Sequence, residues 1–369
     1  MNPFPASDPI PLPAPVWLLK TLHIVTLSLH VVALEMLVGG LIVACTLCWF
    51  SARRSEATAA GALARRMPLV MTYAISFGVP PLLFAQVLYG RVLNISSVLI
   101  GVYWISVIFL LMLCYWLLYR FTRRLEAGKR AWPFGLTAWI IAAYMASILS
   151  SNMTLMVPPE IWQRIYSATT SGTNLATGDP YLFWRWLFML TGGAMVAGLW
   201  LIYLSGRETF VEDDQKFMAH LGGTLAVLGA LLTTFSGLQV GAVQPGAVQV
   251  QLISNVFYRF SGYAFLCVAS LVILAGLIVV RARHAPKHIS VAAPFLALLA
   301  MATATVYHDG IRDITLALEG YDVWSQPVVT NWSVVLIFVV FFAIALVLVG
   351  WLASVMAGAI EENESLGTL

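Results

Sequence analysis

The stretch LHIVTLSLHVVALEMLVGG, residues 22–40, is apolar at almost every position, yet it carries two histidines seven apart and a glutamate. An apolar run of roughly 20 residues is enough for a helix to cross about 30 Å of hydrocarbon. Ionisable side chains inside such a helix are costly, and they mark either a site or a buried pair. His23, His30 and Glu35 are therefore the first candidates for function.

The rest of the chain has the same character. Of 369 residues, 60% are hydrophobic and only 10% charged, with a mean hydropathy of +0.87, far outside the range of water-soluble domains. Nine spans are expected, over 17–50, 67–90, 94–120, 132–156, 181–205, 216–242, 255–281, 288–309 and 328–360. The predicted fold is an all-α, polytopic membrane bundle. It divides into an N-terminal segment 1–16, a single transmembrane domain 17–360 and a tail 361–369.

Charge placement gives the expected orientation. Fourteen of the twenty Lys and Arg residues fall in or beside four loops: Arg53, Arg54, Arg65, Arg66; Arg120, Arg123, Arg124, Lys129, Arg130; Arg207, Lys216; Arg281, Arg283, Lys287. Basic loops favour the cytoplasmic side, which places the N-terminus outside and the acidic C-terminus in the cytoplasm of a bacterial-type inner membrane. The first segment lacks a basic leader and a small-residue cleavage site, so it is read as a retained helix. The four cysteines all lie in expected spans and imply no disulfide framework. Cys45-x-x-Cys48 is followed by Trp49, where covalent haem attachment needs histidine. Pro80 and Pro81 are expected to kink the second span, and PEIWQRIY, residues 159–166, resembles a short amphipathic turn lying at the interface, with a plain surface loop as the equal alternative.

The six histidines separate by position. His220, His284 and His288 fall at expected cytoplasmic helix ends. His23 and His30 are close to two turns apart and face the same way, about 9 and 20 Å into the first helix at 1.5 Å per residue. His308 ends the eighth span on the same side. The three can converge in the outer half of the bundle, and neutral imidazole is a good iron ligand. Hydrogen bonding to a neighbouring helix is the alternative for each ring.

Several stretches then resemble the haem-bearing subunit I of cytochrome bd quinol oxidases. Lys20, His30 and Gly39 keep the intervals of that family's first helix, whose histidine ligates the oxygen-reactive haem. FGVPPLLFAQVLYG (77–90) with Gly101, the stretch 139–162, the run from Asp213 to Gln244-Pro245, and YHDGIRD (307–313) are similar to further motifs. In the last of these His308 takes the place of a glutamate that ligates a second haem. The chain also departs from the family as a set. The axial ligands of the low-spin haem correspond to Phe188 and Ser261, the proton-pathway glutamates to Leu111 and Tyr119, and the quinol loop shrinks to about a dozen residues between Val243 and Asn255.

What the resemblance implies is a b-type haem subunit of a respiratory electron-transfer complex, with one or two haem b groups or a modified haem. The iron is expected on His30 and His308, with His23 as an alternate. Lys20, Glu35, Gln86, Trp104, Arg259 and Arg312 are expected around the site, and oxidoreductase activity toward oxygen or another small gas is left open. Expected partners are the bilayer, other membrane subunits and a periplasmic c-type cytochrome, which Asp309, Asp313, Glu319 and Asp322 could receive as outer-loop charges. A quinone and nucleic acid are not expected. A haem-free scaffold and a transporter lined by Glu35, Gln86 and the Pro80-Pro81 break are the competing readings.

Overall fold

The computed structural model describes residues 11–50, 53–207 and 209–366. Twelve α-helices are formed among them: α1 (Val16–Phe50), α2 (Arg54–Ala64), α3 (Met67–Leu99), α4 (Gly101–Glu126), α5 (Trp132–Leu155), α6 (Trp162–Ala168), α7 (Pro180–Ser205), α8 (Glu212–Ala242), α9 (Gly246–Ser254), α10 (Val256–Ala282), α11 (Lys287–Leu318) and α12 (Trp332–Leu366). Strands are absent from the described residues, apart from one isolated bridge between Leu12 and Val328 that ties the N-terminal segment to the approach to α12. Nine candidate membrane spans result, with α2 and α3 counted as one. The chain is a multi-pass membrane protein.

Local chemistry starts the helices where the apolar runs begin. Asp179 accepts from the amide of Tyr181 at the head of α7, and Asn255 accepts from the amides of Phe257 and Tyr258 at the head of α10. Such caps satisfy donors that a helix start leaves unpaired. Pro68 and Pro133 occupy the first turns of α3 and α5, where no amide is needed.

With lipid outside, association of the helices rests on close packing and on buried polar contacts. Leu37, Leu41, Leu63, Met67, Leu118 and Phe121 are fully enclosed at the centre of the largest core cluster. At the α1–α7 crossing the backbones touch: a Cβ added to Gly39 would fall 1.7 Å from the carbonyl oxygen of Gly193. By contrast, α12 packs only lightly against the rest. Phe338 meets Phe84 edge-on at 5.9 Å and Val335 joins the same buried cluster as Phe84, while most of the described side chains of 332–352 are exposed.

The short turn expected at PEIWQRIY is a 3₁₀ turn, Pro159–Ile161, followed by α6, and the Trp162 indole donates to the Leu155 carbonyl oxygen at 2.8 Å. The structure departs from the sequence reading in three places. The segments 54–64 and 246–254 are helices, short ones that carry no membrane-length apolar run. The dihedral break in α3 lies at Tyr89 (φ −129°, ψ 19°), while Pro80 and Pro81 remain helical. Tyr89 is the residue whose hydroxyl is drawn into the polar network described next. Finally, α11 runs nine residues past the expected end at 309, which takes Asp309 and Asp313 out of an exposed loop and into the bundle.

Candidate functional site

The extension of α11 places Asp309, Arg312 and Asp313 on successive turns of one face. Lys20 of α1 reaches this face and binds both carboxylates, Asp313 at 2.6 Å. It also donates to the Tyr89 hydroxyl at 2.6 Å. Tyr89 donates to Asp313 Oδ1 at 2.5 Å, and Asp313 Oδ2 accepts from the Tyr258 hydroxyl at 3.1 Å and the Trp324 indole at 3.3 Å. Arg312 pairs with Asp309 and lies over the Tyr89 ring, 4.1 Å from its centroid. Two cations thus face two carboxylates, and Lys20, Asp309 and Asp313 are each buried. Charges taken out of water need such pairing and hydrogen bonding.

His23 borders the network. Its Nδ1 lies 3.0 Å from the Pro81 carbonyl oxygen and its Nε2 3.3 Å from Arg312 Nη2. A carbonyl only accepts and a guanidinium only donates, so these partners fix the ring as neutral, with the proton on Nδ1. His30 repeats the arrangement one step deeper: its Nδ1 donates to the Ala74 carbonyl oxygen at 2.7 Å. Seven residues separate the histidines on α1 and seven separate their acceptors on α3, so both rings face one antiparallel neighbour. Gly78 makes room for the second ring. A Cβ there would lie 2.9 Å from His30 Cε1 and Nδ1.

His308 faces elsewhere. Its ring packs on Phe188 of α7 at 5.2 Å between centroids, and its Nδ1 is buried with no hydrogen-bond partner. It lines a cavity of about 290 Å³ together with Phe188, Gly237, Phe265, Tyr307 and Arg259. Leu238 and Tyr263, both more than half exposed, lie at its edge, so the cavity is reached from the apolar surface of the bundle.

A single iron gripped by His30 and His308 is therefore not what the bundle assembles. Lys20 contacts both Asp309 and Asp313, and of these two carboxylates His23 approaches Asp309, 3.8 Å away, so α1 and α11 run antiparallel with His23 level with Asp309. His308 is next to that level, whereas His30 is seven residues further along α1, about 10 Å deeper at 1.5 Å per residue. The two rings also turn to different helices. Among the described residues, no group of three or more His, Cys, Asp or Glu side chains is gathered to hold a metal ion.

The other expected residues are distributed. Lys20, His23 and Arg312 meet in the network, and Arg259 joins His308 at the cavity while donating to the Ile253 carbonyl oxygen at 3.2 Å. Gln86 is exposed and bonds Asn94 at 2.9 Å. Trp104 packs beside Ile100 and Ile148, in a separate cluster. Glu35 stands alone between α1 and α7. Tyr89, Tyr258 and Trp324 were not anticipated, and Asp309 and Asp313, expected as exposed acids for a cytochrome, are neutralised inside the protein.

Comparison with known proteins follows the same line. No family model matches the sequence, and no curated protein matches it. Among solved structures, the chain is similar to bd oxidase from Geobacillus thermodenitrificans, with a TM-score of 0.74 over 98% of this chain and 100% of that one. The fold is that of a bd oxidase. At 14% identity the likeness extends to the bd-oxidase fold and leaves the chemistry to this chain's own residues.

Proposed function

We propose that the chain is a b-type haem-carrying subunit of a respiratory electron-transfer complex. It would sit in a bacterial-type inner membrane with its N-terminus outside, and exchange electrons with other membrane subunits or a periplasmic c-type cytochrome. The bd-oxidase-like fold supports the respiratory context. The observation that carries the haem reading is His308, a buried imidazole with an unpartnered nitrogen on the wall of a cavity of about 290 Å³, close to the lower end for small-molecule sites.

The residues fit a haem held by one imidazole. Phe188 packs at a tilt against Phe265, 5.9 Å between ring centroids, and the Ser261 hydroxyl donates to the Tyr258 carbonyl oxygen, so the two positions that the family resemblance assigns to axial ligands offer none. His308 supplies an imidazole to that pocket from α11 instead. Phe188, Phe265 and Tyr307 would flank a planar group, and Arg259 at the mouth would pair with its carboxylates. A haem supplies one-electron transfer. His30 is the second candidate ligand: its Nδ1–H bond to a carbonyl orients the ring as outer partners orient metal-bound histidines. The segment expected as a shortened quinol loop is the helix α9, and no quinone enters this reading. Of the residues a transporter would use, Glu35 is buried between α1 and α7, while Gln86 is exposed and bonded to Asn94.

The test is a reduced-minus-oxidised visible spectrum with pyridine haemochrome quantification. Soret and α-band changes are expected in the wild type, lost in His308→Ala and largely kept in His30→Ala. A wild type with no redox-sensitive band would instead make the chain a haem-free scaffold. A spectrum untouched by either substitution would discard the ligand assignment.

A further inference from the structure

We propose that Glu35 is a mid-membrane proton-binding site, a carboxyl held as the neutral acid in a glycine niche between α1 and α7. The inference goes beyond the haem reading and does not depend on it. Glu35 is fully buried, 0% exposed, and neither carboxyl oxygen has a hydrogen-bond partner. The carboxyl rests on bare backbone: a Cβ added to Gly192 would lie 2.3 Å from Oε1 and 2.7 Å from Cδ. Any side chain at 192 would occupy its place. One turn further, the Gly39–Gly193 contact closes the niche.

The surroundings provide no charge to hold an anion. The titratable groups of the helices packed against α1 are Tyr73, Tyr89 and Arg91 on α3, Tyr181, Arg185 and Tyr203 on α7, Tyr144 on α5, and Arg54, Glu56 and Arg65 on α2. On α11 they are Lys287, His288, Tyr307, His308, Asp309, Arg312 and Asp313. None of them bonds to Glu35. Lys20 is fifteen residues back along α1, roughly 22 Å away. Leaving an ionised carboxylate in such a place is far costlier than leaving a neutral polar group there. The side chain therefore carries its proton in the resting state. The carboxylates that the family resemblance assigns to a proton route are Leu111 and Tyr119 on α4 here, so this acid occupies a different helix.

Infrared difference spectroscopy on the full-length protein in lipid nanodiscs at pH 7, wild type minus Glu35→Gln, tests the proposal. An ordinary glutamic acid is protonated to only about 0.2% at that pH. The expected result is one carboxylic-acid carbonyl band per chain, a roughly 500-fold higher protonated fraction. A carboxylate signature in its place, or no acid band in the difference, overturns it. Should the Gln variant fail to fold, Glu35→Asp keeps the acid but draws it one methylene back from Gly192. Its band is then expected at a shifted frequency, and an unshifted band would overturn the assignment. Because the band is read whether or not haem is present, loss of the haem reading leaves this test intact.

Discussion

Replacing Lys20 by Met tests whether the ionic network holds this end of the bundle together. In the native protein two cations and two carboxylates balance, and Lys20 bonds Tyr89, Asp309 and Asp313 at once. The substitution keeps the aliphatic volume but leaves the network with net charge −1. The Asp309 and Asp313 side chains are 2% and 5% exposed, so water does not replace the lost ammonium. Removing one partner of a buried pair costs about 3–5 kcal/mol, mostly through the charge left behind.

The same argument predicts rescue. Lys20→Met with Asp313→Asn restores neutrality, and the pair is expected to recover about 2 kcal/mol of the loss, with a coupling energy well above the ~0.5 kcal/mol seen for independent sites. Unfolding free energies by SDS titration of the four members of the cycle give the coupling directly. A Lys20→Met cost under about 1 kcal/mol, in the range of solvent-exposed pairs, or strict additivity in the double variant, would refute the reasoning.

Three further substitutions address other levels of the structure. Gly39→Ala places a methyl group 1.7 Å from the Gly193 carbonyl oxygen, so α1 and α7 must part, with an expected loss of at least 1–3 kcal/mol in the same titration. Asn255→Ala removes the acceptor for two amides at the head of α10, and about 1 kcal/mol should go with it. Gly78→Ala drives a Cβ to 2.9 Å from the His30 ring and should break the bond to Ala74, lowering stability by about 1–3 kcal/mol. If the haem reading at His308 is right, Gly78→Ala leaves the reduced-minus-oxidised spectrum unchanged.

Much of the fold is legible from the chain because lipid imposes one rule, an apolar run long enough to cross. That rule finds nine spans and misses α2 and α9, whose 11 and 9 residues are too short to obey it. It also ends the eighth span at the first charges, since a run such as HDGIRD looks like a loop when hydropathy is the only guide. The contrary signal was present: Asp309, Arg312 and Asp313 stand at i, i+3 and i+4, the spacing of one helical face. The shared face of His23 and His30 follows from their seven-residue spacing alone. Their partners do not, because the acceptors are backbone carbonyls of α3, which have no signature in the sequence. Tyr89 was equally hidden, since an isolated tyrosine in an apolar span reads as packing until a lysine 69 positions away is seen beneath its hydroxyl. That His308 faces Phe188 on α7 was hidden for a reason of direction. Periodicity fixes which residues of one helix share a face, but not which neighbour that face meets.

The distribution of satisfied and unsatisfied groups separates what holds this protein together from where it has chemistry to spare. Every carboxylate of the network is bonded several times over, and the network links α1, α3, α10 and α11 at one level. One helical turn of slip, about 5.4 Å, would break all of its ion pairs together, so it sets the register between α1 and α11 and hence the different depths of His30 and His308. Such a cluster acts as a clamp. Buried polar atoms left without partners are uncommon in folded proteins, and each one calls for a cause. Here two of them, the Nδ1 of His308 beside its cavity and the carboxyl of Glu35 in its glycine niche, take no part in the clamp and meet α7 on Phe188 and Gly192, four residues apart on one helical face.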